Sequence, residues 1–473
     1  LSRSGDDLRI DWGWVCLSAK GEQVRLSTCQ DAMTWICAEA DASAAPVLFA
    51  LGYDDWESIQ YFGKNLRSWW NRDGKTIETA MAEALDGFET VRQRCDDFST
   101  RLFARAVRAG GEHYAELLEL AWRQVLAAHK LVLDENGEIL YISKECFSNG
   151  CAATVDVSYP SMPLFLLFAP ELVRGMMRPI FRYAADPWPF DFAPHDAGQY
   201  PLLNGQVYSG GTDPKSQMPV EECGNMLLMM TAVTVADGKL DFAREHLPVL
   251  KQWAGYLLTH GADPGEQLCT DDFAGHLAHN CNLSLKAIMG LAGLGRLCRM
   301  LGEEAEGDRY DKAAREMAAH WQQSAANGDG SYRLAFDQPG SFSMKYNAIW
   351  DRVLGFGLFP PEVMASELAS CMKRVNPYGM PLDNRESYTK SDWLVWTAAL
   401  TGDRAVFEAF VEPLWQFYHR TPDRVPMTDW YQTITGRQVQ YPTRDGGHVG
   451  FQNRTVQGGL FIQLLAAEET LRK

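Results

Sequence analysis

The chain has 473 residues, of which 46% are hydrophobic and 22% are charged, proportions that are typical of globular proteins. This length predicts two structural units, one of which can be a closed helical barrel larger than an ordinary domain. The sequence has no apolar run of the roughly 18 residues that a membrane span needs. Its formal net charge of -17 argues against nucleic acid and anionic membranes as partners.

The eleven cysteines lack the paired spacing of zinc sites, and their odd number leaves at least one thiol unpaired. A chain of this length does not need disulfides, so we expect mostly buried, reduced thiols and a mild preference for a reducing compartment such as the cytoplasm. The sequence opens on Leu1-Ser2-Arg3, without a methionine or a signal peptide. We therefore expect the true N-terminus to be missing, and localisation and oligomeric state stay open.

The first part of the chain is predicted to be a β-sandwich fragment, residues 1–75. Its strand-like runs alternate with Gly, Asp and Pro: Leu8 to Leu17, Val24 to Leu26, Met33 to Ala38 and Val47 to Leu51. From Thr76 onward, apolar residues recur at steps of three and four, which predicts a linker helix over residues 76–111. The abrupt start in strand-like sequence suggests that the rest of the sandwich lies upstream.

Residues 112–473 are predicted to be mainly helical. Helical segments separated by loops are expected at 112–132, 162–183, 220–236, 240–260, 281–302, 303–324, 361–374, 388–400, 403–419 and 454–472. Many follow one another through short connections, as antiparallel hairpins do. Hairpins stacked in a ring form a toroid, and its longer polar loops are where function is expected.

A first loop with candidate site residues runs from Ala193 to Pro201 and contains His195 and Asp196. The alternative interpretation is a turn in which Asp196 caps a helix. A second candidate, Glu221-Glu222, precedes an apolar helix. The helix dipole explains one such glutamate, but an inward-facing second one is uncommon without a function.

The densest cluster of titratable groups runs from Leu268 to Asn282 and contains Asp271, Asp272, His276 and Asn280. A metal site is conceivable there, but the chain has neither a HExxH motif nor a cysteine set. We therefore predict no metal and no other cofactor.

Three later segments place carboxylates or other polar residues beside aromatic residues at helix or loop starts, a mixture that suits sugar binding because rings stack on pyranose faces and polar groups bind hydroxyls. Each alone is also compatible with a solvated surface. The candidate residues in them are Arg385, Lys390, Asp392, Trp393, Asp429, Trp430, Tyr431, Gln452 and Arg454.

These motifs resemble the glutaminase A family over nearly the whole chain. Further matching segments are Arg3 to Gly13, Ser143 to Gly150, Thr154 to Pro160 and Pro422 to Met427. The resemblance implies a mainly α fold, an (α/α)6 toroid of six helical hairpins preceded by a β-sandwich, here a remnant, and it implies L-glutamine amide hydrolysis. The toroid is also similar to six-hairpin glycosidases, the glucoamylases and bile-acid β-glucosidases, in which a Pro-His-Asp-x-Gly loop occurs.

The residue chemistry favours glycoside hydrolysis. Amide hydrolysis usually uses an activated Ser, Thr or Cys, and none here has a distinguishing context, whereas paired carboxylates recur. We predict Glu222 and Asp272 as the catalytic pair, with Asp196 in reserve. We expect a small molecule or an oligosaccharide to be bound by His195, Glu221, Asp271, His276, Asn280 and the nine aromatic and polar residues of the later segments. The alternatives are a glutaminase and a non-catalytic carbohydrate-binding module.

Overall fold

The computed structural model describes residues 12–21, 23–41, 46–442 and 446–472. Most of the Arg3 to Gly13 motif, and the start of the strand predicted from Leu8, lie outside the described residues. The N-terminal part forms two antiparallel pairs, β1 with β4 and β2 with β3. The bounds are β1 (Trp14–Lys20), β2 (Arg25–Gln30), β3 (Thr34–Glu39) and β4 (Leu48–Asp54).

Two helices follow, α1 (Ile77–Asp86) and α2 (Phe88–Gly110). Helix α1 begins where the Thr76 hydroxyl accepts a hydrogen bond from the Thr79 amide at 3.3 Å, as an N-cap residue does. The segment predicted as one linker helix is therefore two helices that meet at Gly87. The domain boundaries near residues 75 and 111 remain a proposal.

The rest of the chain is an (α/α)6 toroid of six hairpins, which confirms the predicted fold class. The outer helices are α3 (Glu112–Ala127), α5 (Pro170–Ala185), α7 (Asp241–His260), α9 (Glu304–Ser324), α11 (Pro361–Met372) and α13 (Arg404–Arg420). The inner ones are α4 (Val155–Phe168), α6 (Pro219–Asp237), α8 (Cys281–Met300), α10 (Ile349–Leu354), α12 (Ser391–Ala398) and α14 (Ile462–Ala467). Short 3₁₀ turns, Tyr346–Ala348 and Thr455–Phe461, precede α10 and α14. With these turns, each inner helix packs on the next, and the last returns to α4, closing the ring.

Burial separates the two rings of helices. Helices α6 and α8 are buried along most of their length, as expected for helices that are apolar on all sides. A Cβ atom added at Gly290 of α8 would lie 3.1 Å from the Gly224 Cα atom of α6. Glycine at both positions therefore allows these two inner backbones to pack closely.

One predicted helix, 162–183, is wrong because the structure has two helices there. Helix α4 begins at Val155 although it contains Pro160 and Pro163, residues that weaken a helical pattern in a sequence. It ends before Ala169, which precedes Pro170, and α5 starts at that proline. A residue before proline is disfavoured in the α conformation, so the chain turns from the inner to the outer ring here. Helix α10 is too short for periodicity to have indicated it.

The loops that precede the inner helices lie at one end of the toroid and are linked in a circle. Within and beside them lie β5 (Ile59–Tyr61), β6 (Lys64–Leu66), β7 (His129–Leu133), β8 (Ile139–Ser143), β9 (Cys151–Ala152), β10 (Gly198–Gln199), β11 (Leu202–Leu203), β12 (Tyr388–Lys390), β13 (Trp430–Gln432), β14 (Tyr441–Pro442) and β15 (His448–Val449). Strand pairing joins β9 to β10 and β12 to β13. The bridges Asn280–Ala335 and Ser343–Asp383 join the loops between them. The Tyr441 hydroxyl, which donates to the Ser148 carbonyl, brings the last loop to the first.

No helix among the described residues has both the length and the apolar character that crossing a membrane requires. No two cysteines in the described part of the chain form a disulfide.

Candidate active site

A cavity of about 350 Å³ lies at the end of the toroid where the inner helices begin. Its wall combines carboxylates, a histidine, an arginine and aromatic rings. The lining residues are Glu145, Ser148, Asn149, Asp156, His195, Thr270, Asp272, Phe273, Trp430, Tyr441, Phe451 and Arg454.

Asp196 is buried behind this wall and is held by the backbone. Its carboxylate accepts hydrogen bonds from the amides of Gly198 (2.9 Å), Val207 (3.0 Å) and Tyr208 (3.1 Å). It is therefore neither a helix cap nor a group that faces the cavity, because its oxygens are used to shape the loop. The predicted reserve role of Asp196 as a catalytic group does not fit this position.

The remaining contact of Asp196 fixes His195, whose Nδ1 atom lies 3.0 Å from Asp196 Oδ2. The other ring nitrogen, Nε2, lies 3.5 Å from Asp156 Oδ1, and the ring stacks on Tyr208 at 4.0 Å. Burial by itself lowers the pKa of His195, but the charges of Asp156, Asp196 and Glu222 outweigh it and raise the pKa to about 10. Burial raises the pKa of Asp156 to about 7, although the His195 charge opposes this change.

Asp272 lies on the cavity wall in a short 3₁₀ turn, Asp272–Ala274. Burial raises the pKa of its carboxyl group, and the charge of Glu145 adds to this change. The Tyr208 hydroxyl donates a hydrogen bond to Asp272 Oδ2 at 2.9 Å, a contact that lowers the pKa. Burial is the larger effect, so the pKa of Asp272 is raised and its protonated form is favoured more than in an exposed aspartic acid.

Glu221 and Glu222 are both buried in the first turn of α6, deeper than the cavity wall. Glu221 Oε1 lies 3.0 Å from the fully buried Lys286 Nζ, so this pair is an internal ion pair. Glu222 Oε2 accepts a hydrogen bond from the Asn225 amide at 3.0 Å. Burial and the Asp156 charge raise the pKa of Glu222 well above its usual value, although the His195 charge and the Asn225 hydrogen bond oppose this change. The structure brings Glu222 close to His195 and Asp156, but it does not line the cavity.

A chain of buried charges runs from the cavity wall into the core. Arg454 lies 3.7 Å from Glu145 Oε2 and 3.3 Å from Asp429 Oδ2. Lys390 Nζ then lies 2.6 Å from Asp429 Oδ2 and 3.4 Å from Asp392 Oδ1. Burial raises the pKa of Asp392 to about 6, whereas Lys390 and Arg454 overcome burial and lower the pKa of Asp429. Of these candidates, Arg454 faces the cavity and the others lie behind it.

Several other candidates lie away from the cavity. Asn280 caps α8 by accepting from the Asn282 and Leu283 amides, and Arg385 is paired with Asp383 at 2.7 Å. The exposed His276 contacts the Lys215 carbonyl oxygen at 3.0 Å. Asp271 accepts from the Tyr346 hydroxyl at 3.0 Å, and burial raises its pKa to about 7. These residues organise the loops next to the cavity.

Of the aromatic candidates, one lines the cavity and two are buried away from it. Trp430 lines the cavity, where its ring centroid lies 4.4 Å from that of Phe273 and 4.9 Å from that of Phe451. Trp393 is fully buried and stacks on Tyr346 at 4.1 Å, and Tyr431 stacks on Phe417 at 3.6 Å. Gln452 is partly buried beside Phe451 but is not part of the cavity wall.

A family model described as the glutaminase A six helical-hairpin domain matches residues 111–464. The chain belongs to the glutaminase A six-hairpin family. A second model, a domain of unknown function, matches residues 32–104.

Two relatives and one solved structure are similar to parts of this chain. Glutaminase A of Aspergillus oryzae is 32% identical over 89% of this chain and 61% of its own length. A probable glutaminase of Arthroderma benhamiae is 26% identical over 78% of this chain and 51% of its own length. An α-L-rhamnosidase from Dictyoglumus thermophilum has a TM-score of 0.46 at 11% identity and covers 74% of this chain and 37% of its own. The family member described here thus spans between half and two thirds of the length of the curated relatives that it matches.

Two cavity carboxylates of this glutaminase A family chain were missed by sequence reasoning, Glu145 and Asp156. Both stand in segments that carried the family resemblance, but neither was chosen as a site residue. Asp156 had the signal used for Glu222, because it stands in the first turn of a buried helix. Glu145 had no comparable pattern, since it lies in a loop after β8; in the fold it faces the cavity, where Arg454 and Ser148 contact it.

Proposed function

We propose that this cavity hydrolyses glycosidic bonds. The observation that carries the proposal is the combination of several carboxyl groups with an aromatic wall in one cavity. Glycoside hydrolysis needs one protonated and one ionised carboxyl group near the scissile bond. The rings of Trp430, Phe273 and Phe451 offer the apolar surface on which a pyranose stacks.

Asp272 is the proposed proton donor. Its raised pKa favours the protonated form of the carboxyl group, and the hydrogen bond from Tyr208 fixes the orientation of that group at the cavity wall. In this role Asp272 would donate its proton to the leaving oxygen as the glycosidic bond breaks.

Glu145 and Asp156 are the candidates for the second carboxyl group. Both line the cavity, and each has one oxygen without a hydrogen-bond partner. Glu222 also has such an oxygen, but it does not line the cavity, and this difference in position supports Glu145 and Asp156 over it. The second role is either nucleophile or base, depending on the separation of the two carboxyl groups once substrate is bound.

L-Glutamine amide hydrolysis is the second candidate function, and it has its own support. The two relatives carry the glutaminase name, and one cavity hydroxyl is hydrogen-bonded to a carboxylate, with Ser148 Oγ donating to Glu145 Oε2 at 2.7 Å. A serine nucleophile normally needs a stronger base and an oxyanion hole, which is why this candidate ranks second.

One experiment tests both candidates on the same preparation. Purified protein is screened against a panel of chromogenic glycosides and against L-glutamine, with release of aglycone and of ammonia as readouts. Under the proposal, Asp272→Asn loses about 10²–10⁴-fold in kcat on the best glycoside, while Ser148→Ala keeps most of the activity. Ammonia release that Ser148→Ala abolishes, without glycoside turnover, would establish the glutaminase alternative. Saturable sugar binding without turnover of either substrate would indicate a binding module.

A further inference from the structure

Three side chains on the cavity wall form a cluster with the chemistry of a metal site. One ligand atom each from Glu145, Asp156 and His195 lies within 4.8 Å of the others. All three side chains are buried. They come from three different elements, the loop after β8, the first turn of α4 and the loop before β10, so the ring of loops brings them together.

The two carboxylates point to a ligand because each has a buried oxygen that accepts no hydrogen bond. Glu145 Oε1 has no partner at all, and Asp156 Oδ1 faces only His195 Nε2 at 3.5 Å; the two residues are 5% and 7% exposed. Buried carboxylate oxygens are normally satisfied by a hydrogen bond or by a metal ion. The Arg454 and Ser148 contacts of Glu145 are both made by Oε2, which leaves Oε1 available.

The third group, His195, is oriented as metal-binding histidines usually are. Its Nδ1 atom is held by Asp196 at 3.0 Å, and Asp196 is itself fixed by three backbone amides. This leaves Nε2 directed at Asp156. A carboxylate that holds one ring nitrogen while the other binds the ion is the common outer-shell arrangement of such sites.

We propose that Glu145, Asp156 and His195 bind one divalent transition-metal ion, Mn²⁺ or Zn²⁺, at the wall of the cavity. One imidazole nitrogen with two carboxylate oxygens suits these ions better than Ca²⁺ or Mg²⁺, which prefer oxygen alone. The cavity leaves the remaining coordination positions open to water or to a substrate oxygen. This inference departs from the prediction that no metal binds. It also bears on the proposed function, because a carboxylate that holds the ion is not free to act as the second carboxyl group there.

The test measures metal binding directly, in the absence of substrate. The 473-residue chain is treated with a chelator and dialysed. It is then titrated with Mn²⁺, followed by electron paramagnetic resonance of free Mn²⁺, and with Zn²⁺, followed by calorimetry. The variants are Glu145→Gln and Asp156→Asn, which keep side-chain size. The matched control is Asp271→Asn, because Asp271 is a buried carboxylate with an unpartnered oxygen that lies outside the cluster. Circular dichroism and thermal unfolding verify that each variant is folded.

We expect one tight ion per wild-type chain, at least tenfold weaker binding in both cluster variants, and unchanged affinity in Asp271→Asn. No saturable binding by the wild type, or equal binding by folded cluster variants, would overturn the inference and leave Asp156–His195 as an ion pair. Asp272→Asn separates this question from the proposed function, because it should lose glycoside turnover and keep the metal. Metal binding without turnover of any glycoside would refute the proposed function alone.

Discussion

Replacing Tyr208 by Phe should move the alkaline limb of the pH–rate profile to higher pH. The Tyr208 hydroxyl donates to Asp272 at 2.9 Å, and this contact favours the ionised carboxylate and lowers its pKa. Phe keeps the ring that stacks on His195 at 4.0 Å, so the substitution removes little besides the hydrogen bond. A proton donor works only while protonated, so a higher pKa extends activity to more alkaline pH.

The size of the shift follows from the energy of that hydrogen bond. A bond to a charged group contributes about 1.5–3 kcal/mol, and 1.36 kcal/mol corresponds to one pH unit. The Asp272 side chain partly faces the cavity solvent, which screens the interaction, so we expect the midpoint of log(kcat/KM) to rise by about one pH unit.

The assay is kcat/KM between pH 4 and 10 on the best chromogenic glycoside. Tyr441→Phe is the matched control, because that hydroxyl lies on the same wall and donates to the Phe147 and Ser148 carbonyls. Asp272→Asn should lose the alkaline limb together with most of the rate. An alkaline midpoint that stays in place or moves to lower pH in Tyr208→Phe would refute Asp272 as the proton donor.

Three further predictions concern buried groups. Glu222→Gln should keep the fold and at least a tenth of kcat, because Glu222 lies behind the wall and burial already favours its neutral form; a loss equal to that of Asp272→Asn would restore Glu222 as a catalytic group. Burial lowers the pKa of His129 from 6.5 to about 3, so the unfolded chain binds an extra proton as pH falls below 6.5 and stability is lost. In denaturant titrations between pH 7 and 5, the wild type should lose about 2 kcal/mol more than His129→Gln, and equal losses would contradict this. Lys390→Met leaves Asp392 and Asp429 without their shared cation, so the free energy of unfolding should fall by about 3–5 kcal/mol at pH 8. The fall should be smaller at pH 5, where the carboxyl groups can take up protons, and the double variant Lys390→Met with Asp429→Asn should recover part of it; a loss that does not change with pH would argue against this reasoning.

The fold class and the loops that line the candidate cavity could be predicted from the sequence. Apolar periodicity, short hairpin connections and loops rich in polar and aromatic residues are local properties, and with the family resemblance they predict the six-hairpin toroid. The same local signals led to His195, Asp272, Trp430 and Arg454, which all line the cavity.

The sequence could not show which carboxylates face the cavity, because that depends on tertiary contacts. In the sequence, Asp196, Glu222 and Asp272 look alike, since each stands before an apolar segment or beside a histidine. In the fold, three backbone amides take the oxygens of Asp196, and Glu222 is buried in the first turn of α6 and does not line the cavity. Asp156 and Glu145 take the wall positions because the loops close in a ring. Hydrogen bonding and burial are set by residues dozens to hundreds of positions away, so the pattern around a single carboxylate does not contain them.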